Sequence, residues 1–346
     1  MLKLGFKEDI EKILYNVKKQ CGKDLQICLF SATVPSWVRM VAKEHMRPNC
    51  QVVDLALDLK NKTAKKVEHL AINCPFYNRM AALADVLSCY GGTGKTIVFT
   101  QTKADANSLL LSDKIKQDIE VMHGDIAQNQ REVTMKRFKE NKFKVLVATD
   151  VASRGLDIPN VDLVIQIEPP KEVETYIHRS GRTARAGASG VCITFYTAKT
   201  QFLIDQIESQ AGIVLKKIGI PQPEDVLRAS ACGILTNLEM VKDEVLPNFE
   251  KAAKKLIEQE KGDSLKAVSK CLAYISGHYK SALENKSLIT GTEKQLTMKM
   301  TPTSSGSRLN ANSAKALLDR WWAGRIADSI RTIRSIKNNG GAVFDI

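Results

Sequence analysis

Three stretches of this sequence combine residue types and spacings that could do chemistry. In residues 178–187, HRSGRTARAG, His178, Arg179, Arg182 and Arg185 fall within eight positions, interleaved with small residues. The three arginines are each three positions apart, so a helical or near-helical segment projects them to similar sides. Guanidinium forks gathered in that way match phosphate oxygens and can stabilise charge developing on a transferred γ-phosphoryl group. An exposed basic patch is the plain alternative. The small spacers Ser180, Gly181 and Ala184, which permit close approach to another surface, argue against it.

The second stretch, residues 147–159, reads VATDVASRGLDIP. It sets Thr149-Asp150 at the carboxyl end of an apolar strand, where open α/β sheets bind ligands. Arg154-Gly155 and Asp157 follow, and an aspartate there can reach a ribose hydroxyl or hold an arginine. An ordinary strand-to-loop transition with Asp150 as a helix N-cap is the other reading. The third stretch, Gly91-Gly92-Thr93-Gly94-Lys95-Thr96, imitates a phosphate loop and fails as one. The glycine required five positions before Gly94 is Cys89. The segment also leaves a helix and enters a strand, the reverse of a phosphate loop's order. A plain glycine turn is expected.

The elements that must position these residues form a βαβ series over residues 65–215. Strands are expected at 67–73, 95–100, 120–123, 144–149, 162–167 and 190–196, with helices near 78–89, 103–112, 128–140 and 172–179. Val145–Ala148 and its counterparts are continuously apolar, as parallel strands buried on both faces are. Before this series come an amphipathic helix carrying Phe6, Ile10, Ile13, Leu14 and Val17, a short strand at 26–30, and a helix from Pro35. One strand and two helices cannot close a layered α/β domain, so residues 1–54 are expected to pack against a partner or to be part of something larger. After Pro221 the pattern turns helical, with a helical hairpin over 249–276. From 282 the tail mixes a strand at 295–300, a helix over 313–323 and a hairpin at Asn338-Asn339-Gly340-Gly341 leading to a strand at 342–346. The apolar run Ile330, Ile333 and Ile336 has a period between helix and strand.

Composition bounds the partners. The 346 residues are 44% apolar and 26% charged, with 51 Lys plus Arg against 38 Asp plus Glu, a net charge of +13. That excess favours polyanions such as nucleic acid. The eight cysteines include no C-x-x-C pair, so reduced thiols of the cytosol or nucleus are expected. No stretch approaches the ~18–20 apolar residues of a membrane span, and the N-terminus is amphipathic and acid-containing rather than a signal core. A secreted protein, a membrane protein and a disulfide scaffold are all disfavoured. His45, His69 and His278 have no partners at ligand spacing, so they read as structural and no metal site is expected. Trp322, four residues from Leu318, reads as core, and Trp321 as half exposed.

Taken together, SAT at 31–33, QTK at 101–103, HGD at 123–125, ATDVASRGLD and YIHRSGRTARAG resemble the latter part of a DEAD-box RNA helicase. The similarity is strongest to the nucleolar RNA helicase II/Gu group, through EVETYIHRSGRTARAG, AGIVLKKIGIPQPED and the tail segments SLITGTEKQLTMKM and NNGGAVFDI. The resemblance implies an α/β fold of four parts. Residues 1–54 would be a remnant of a first RecA-like lobe, and 55–215 the second RecA-like lobe, a parallel sheet. Residues 216–281 would be a helical linker, and 282–346 part of a small α+β, RRM-like domain. It also implies roles. Ser31 and Thr33 would couple ATP hydrolysis to strand separation, and Gln128, Arg131, Thr149 and Arg154 would grip the RNA backbone without reading sequence. Asp157, beside Gly155, would meet the ATP ribose, Arg182 and Arg185 would act as arginine fingers, and His178 would link the lobes.

The family's phosphate loop, adenine-reading glutamine motif and DEAD box precede the residue matching Met1. ATP and Mg²⁺ are therefore expected of the intact parent, with neither held tightly by this chain, which is expected to bind RNA and not to hydrolyse ATP. The missing first lobe, pre-ribosomal proteins and a nuclear, nucleolar setting follow as expected partners and place. A non-catalytic RNA-binding module and a regulatory partner docking on a helicase through residues 1–54 are the alternatives.

Overall fold

A computed structural model describes residues 7–22, 25–30, 36–53, 66–92, 94–112, 115, 117–150, 161–184, 188–277, 285–303, 309–322, 329–336 and 340–346. The chain divides into two compact units, Met1–Lys62 and Thr63–Ile346.

The first unit holds helices α1 (Lys7–Cys21) and α2 (Ser36–His45). Both are amphipathic, yet Val38 is the only buried residue among those described in this unit. Ile13, Tyr15, Phe30 and Met40 are exposed. Residues 26–30 form no strand, contrary to the sequence reading. Their apolar side chains suit a sheet, but an isolated strand has no ladder to complete.

The second unit is built on seven parallel strands: β1 (Val67–Asn73), β2 (Thr96–Thr100), β3 (Ile119–Met122), β4 (Val145–Thr149), β5 (Leu163–Gln166), β6 (Gly190–Tyr196) and β7 (Lys216–Ile218). Their order is β3-β4-β2-β5-β6-β1-β7. Every residue of β2 and β4 is buried, as their unbroken TIVFT and VLVAT runs require. Alternation sends Val98, Val147 and Ile165 to one face, under α3 (Arg79–Tyr90) and α4 (Lys103–Leu110). Ile97, Leu146 and Val164 go to the other, under α5 (Gln128–Lys139), α6 (Val173–Ser180) and α7 (Gln201–Ala211). The six strands and four helices expected for 65–215 all form, with ends shifted by a residue or two. α7 and β7 went unforeseen, although Ile204 and Ile207 mark the buried side of α7 and Gly212, at φ +68°, ends it.

Beyond the sheet, Pro223 in its first turn and a Gln222–Asp225 capping box start α8 (Pro223–Leu238). The hairpin α9 (Pro247–Gln259) and α10 (Ser264–Ile275) follows as expected, with Asp263 capping α10. The tail forms a small antiparallel sheet, β8 (Thr297–Met300), β9 (Ile333–Ser335) and β10 (Ala342–Asp345), in the order β8-β10-β9. α11 (Ala311–Trp321) covers one face with Ala314 and Leu317, against Ala342 and Leu309, and its Leu318 is fully buried. The ambiguous isoleucine run is thus a strand at Ile333. Trp322 meets Phe344 edge-on with ring centroids 6.4 Å apart, and Trp321 is exposed.

Candidate functional site

At the carboxyl ends of β3, β4 and β2 the sheet presents a polar rim. After β3, His123-Gly124-Asp125 turns the chain into α5, whose first residue is Gln128. Ala127 at the N-cap supplies no side-chain acceptor to the first turn of α5, where Asn129 Oδ1 accepts from Gln130 N at 2.8 Å. Arg131 Nη2 donates to the Gly124 carbonyl at 2.8 Å, tying the second turn of the helix back to the 123–125 turn. Its Nε is buried and has no hydrogen-bond partner. His123 Nε2 lies 3.1 Å from Asn107 Oδ1 on α4. Lys103 Nζ donates to Asp125 at 2.7 Å, and that bond holds the Asp125 carboxyl below its ordinary pKa. A Thr102–Asp105 capping box fixes the start of α4 beside it. Thr149, buried at the end of β4, is in register with Thr100 of β2. Gln128, Arg131 and Thr149 therefore share one sheet edge.

The arginines of residues 178–187 separate. α6 stops at Ser180 with Gly181 at its cap, so the spacing of three does not gather Arg179 and Arg182 on one side. Arg179 is 3% exposed and faces the sheet. Its Nε and Nη2 each donate to a carboxylate oxygen of Asp150 at 2.7 Å, Nη1 donates to Gln166 Oε1 at 3.2 Å, and the guanidinium lies 5.2 Å from the Phe99 ring centroid. Arg179 thus braces the chain as it leaves β4; it is no phosphate ligand. Nor is Asp150 simply an N-cap, since both oxygens are engaged by Arg179. The signal was present: Arg179 follows Tyr176 by three, and Tyr176 is the fully buried residue of α6.

Arg182 lies past the helix and its backbone is pinned. Its N–H donates to the Arg179 carbonyl at 3.1 Å, and its own carbonyl accepts from Val161 N at 3.3 Å. Thr183 Oγ1 donates to the Val161 carbonyl. The backbone at Arg182 therefore sits at the amino end of β5, apart from the rim that carries Gln128 and Thr149. His178 occupies the last turn of α6. Ser31, Thr33, Arg154, Gly155, Asp157 and Arg185 lie outside the described residues.

The glycine turn behaves as the sequence reading held. Gly91 N closes α3 on the Leu87 carbonyl, and Lys95 N donates to Asp162 at 2.8 Å on the way into β2. Lys95 Nζ donates to the carbonyl of Lys139, at the far end of α5 from Gln128, so it sits at the opposite sheet edge from Thr149. His69, read as structural, is buried with Nδ1 2.7 Å from Tyr176 Oη, and burial lowers its pKa to about 4. His45 gains neighbours the spacing did not reveal, with ligand atoms of Glu11, Glu44 and His45 all within 4.8 Å of one another. All eight cysteines are free thiols, and burial pushes Cys74 up to about 12 and Cys192 to about 11.

The helicase conserved C-terminal domain matches residues 78–187, and the DDX21/DDX50 dimerisation domain matches 222–275. Among relatives, ATP-dependent RNA helicase DDX50 of Homo sapiens is 42% identical over 348 residues, covering 100% of this chain and 46% of its own length. Nucleolar RNA helicase 2 of Mus musculus is 46% identical over 300 residues, 86% of this chain and 35% of its own. DEAD-box ATP-dependent RNA helicase 7 of Spinacia oleracea is 39% identical over 347 residues, 100% and 49%. The chain spans about half the length of these relatives, or less. Among solved structures, S. cerevisiae Dbp5 bound to RNA and ADP BeF3 is 32% identical with a TM-score of 0.53, over 60% of this chain and 55% of that one. Mss116p (NTE and C-tail double deletion) bound to ssRNA and AMP-PNP is 25% identical with a TM-score of 0.55, over 81% and 58%. The parallel sheet is the expected RecA-like helicase lobe.

Proposed function

Starting from a chain similar along its whole length to DEAD-box RNA helicases, we propose that it is the second-lobe half of an ATP-dependent RNA helicase acting on structured RNA. The observation that carries this reading is the convergence of Gln128, Arg131 and Thr149 on the carboxyl edge of β3 and β4, beside the uncapped start of α5. That rim, with Arg154, grips the sugar-phosphate backbone and reads no base. Its separation from Arg182 suits two ligands held at once. Arg182 and Arg185 meet the phosphates of ATP, Asp157 beside Gly155 meets the ribose, His178 links the lobes, and Ser31 and Thr33 couple ATP hydrolysis to strand separation. A guanidinium on a pinned backbone fits the nucleotide's phosphates. When bound, ATP with Mg²⁺ supplies the phosphoryl transfer; this chain's residues position and neutralise. Closure of two lobes bends the strand, which then no longer fits its duplex partner. Residues 1–54 are the first-lobe part, 55–215 the second lobe, 216–281 the helical region, and 282–346 the RRM-like part. Ribosomal RNA processing in the nucleolus, beside pre-ribosomal proteins, is the proposed setting. Residues 222–275, where Phe249, Leu265 and Tyr274 are exposed, join two copies.

Within these 346 residues there is no phosphate loop and no DEAD box, so the isolated chain binds RNA without turning over ATP. A fluorescence-anisotropy titration over several salt concentrations tests the grip. Arg131→Ala is expected to weaken unrelated single strands equally and to lower the salt slope by roughly 0.7. Salt-insensitive binding, or turnover that Arg182→Ala abolishes in the isolated chain, overturns the reading.

A further inference from the structure

The small terminal sheet is fastened to the helicase lobe by a short segment with no assigned role. Ser287, fully buried, organises it: its Oγ accepts from Ile289 N at 3.0 Å and Thr290 N at 2.8 Å, and donates to Asp345 Oδ2 at 2.7 Å. Thr297 Oγ1 donates to the other Asp345 oxygen at 2.6 Å and accepts from Leu288 N at 2.8 Å. Asp345, fully buried at the end of β10, thus binds the segment to β8 and β10 at once. The same segment grips the lobe. Asn78, where β1 passes into α3, donates Nδ2 to the Thr290 carbonyl at 2.6 Å. Lys286 Nζ pairs with Asp85 on α3 at 2.6 Å, with both side chains largely buried. Gly291 has φ +72°, and a Cβ there would run into Ile220, just past β7.

These contacts seat the small sheet over the carboxyl ends of β1 and β7. That is the edge which, at the other end of the sheet, carries Gln128 and Thr149. Arg334 on β9 lies within electrostatic reach of Tyr196, the last residue of β6. With α11 covering one face of the small sheet, the other face sets Lys299, Val343 and Arg334 side by side in register, and both basic side chains are exposed. A buried charge pair and a filled polar knot make a specific seat rather than a tether.

We propose that residues 286–292 form a clasp that holds the terminal sheet on α3, so that Lys299 and Arg334 continue the RNA-backbone track of the lobe at a fixed distance. The track rests on the RNA reading above; the clasp does not. The test applies amide exchange and RNA titration to the 346-residue chain carrying Asp85→Lys, Lys286→Asp, both together, or Asn78→Ala. Each single substitution is expected to raise exchange at Ile289 and Thr290 roughly tenfold or more, leaving β2 and β4 protected. The double charge swap is expected to restore protection. For a single strand long enough to reach both surfaces, Lys299→Ala with Arg334→Ala should lower the salt slope by roughly 1.4. An undocked variant should lose the same affinity, while a strand covering the lobe alone is unaffected. Unchanged exchange in all the single variants overturns the clasp. Changed exchange with unchanged long-strand affinity overturns the track. Absence of RNA binding to any form sinks the RNA reading and leaves the exchange result to decide the clasp.

Discussion

In the lobe, β2 and β4 bury every residue between two layers of helices. In the hairpin that follows, α9 buries none of its residues and α10 buries only Ala267. Both regions are rich in apolar side chains, and both form their elements where the pattern puts them. The difference is the number of neighbours. A parallel strand is enclosed by strands on two sides and helices on two faces, and a helical hairpin has one internal seam. The lobe therefore completes its own core, whereas the hairpin keeps Phe249, Leu265 and Tyr274 in solvent. Sequence hydrophobicity marks both alike; it does not say whether the covering surface is in the same chain.

The sharpest way to break this contrast is a matched pair of truncations. Phe138, fully buried beneath the sheet, should cost roughly 3–5 kcal/mol on change to alanine in urea unfolding of the lobe. Phe249→Ala should move that transition by less than about 0.5 kcal/mol, yet shift sedimentation towards monomer. Equal costs would mean that the hairpin is part of the lobe's core. A second pair divides the basic cluster. Arg179→Ala removes both guanidinium bonds to Asp150 and the donor to Gln166 Oε1, and should destabilise by roughly 3 kcal/mol. Arg182→Ala, beyond the helix end, should cost less stability than Arg179→Ala and should abolish ATP turnover only when both lobes are present.

The lobe should also show a pH dependence of its own, approached gradually on acidification. Folded His69 has a pKa of about 4 against 6.5 in the open chain, so between those values the unfolded state binds more protons. Stability is fully present above pH 6.5 and falls as the pH drops towards 4, by up to about 3 kcal/mol. His69→Gln, which keeps an amide near Tyr176 Oη and removes the titration, should flatten that window in acid unfolding. An unchanged profile would show that His69 is not neutral by burial.

Local pattern was enough for six strands and four helices of the lobe. Continuous apolar runs of five to seven residues, alternating with amphipathic stretches and closed by glycine, have few other solutions in a chain of this size. Of the rim, Thr149 was legible at the end of an apolar strand, whereas Gln128 and Arg131 were pointed out only by the family resemblance. Three features were not legible. The run at 26–30 has strand composition and no partner strand among the described residues. The offset of Arg179 from Tyr176 puts it on the inner side of α6, but only the tertiary structure supplies Asp150 and Gln166, the partners that let its charge be buried. The clasp joins Asn78 and Asp85 to Lys286 and Thr290, more than 200 positions away.

What the sequence alone determined, then, was most of the lobe's strands and helices, and the polar residues at the ends of those strands, since both follow from periodicity and local backbone preference. What only the tertiary structure decided was which charges are paired within the protein, as Arg179 with Asp150 and Lys286 with Asp85. It also decided which apolar faces are already covered, and where the last sheet sits. Each of these depends on what another part of the chain brings within a few ångströms. Desolvation and pairing are properties of a neighbourhood, and no residue carries its neighbourhood in its type.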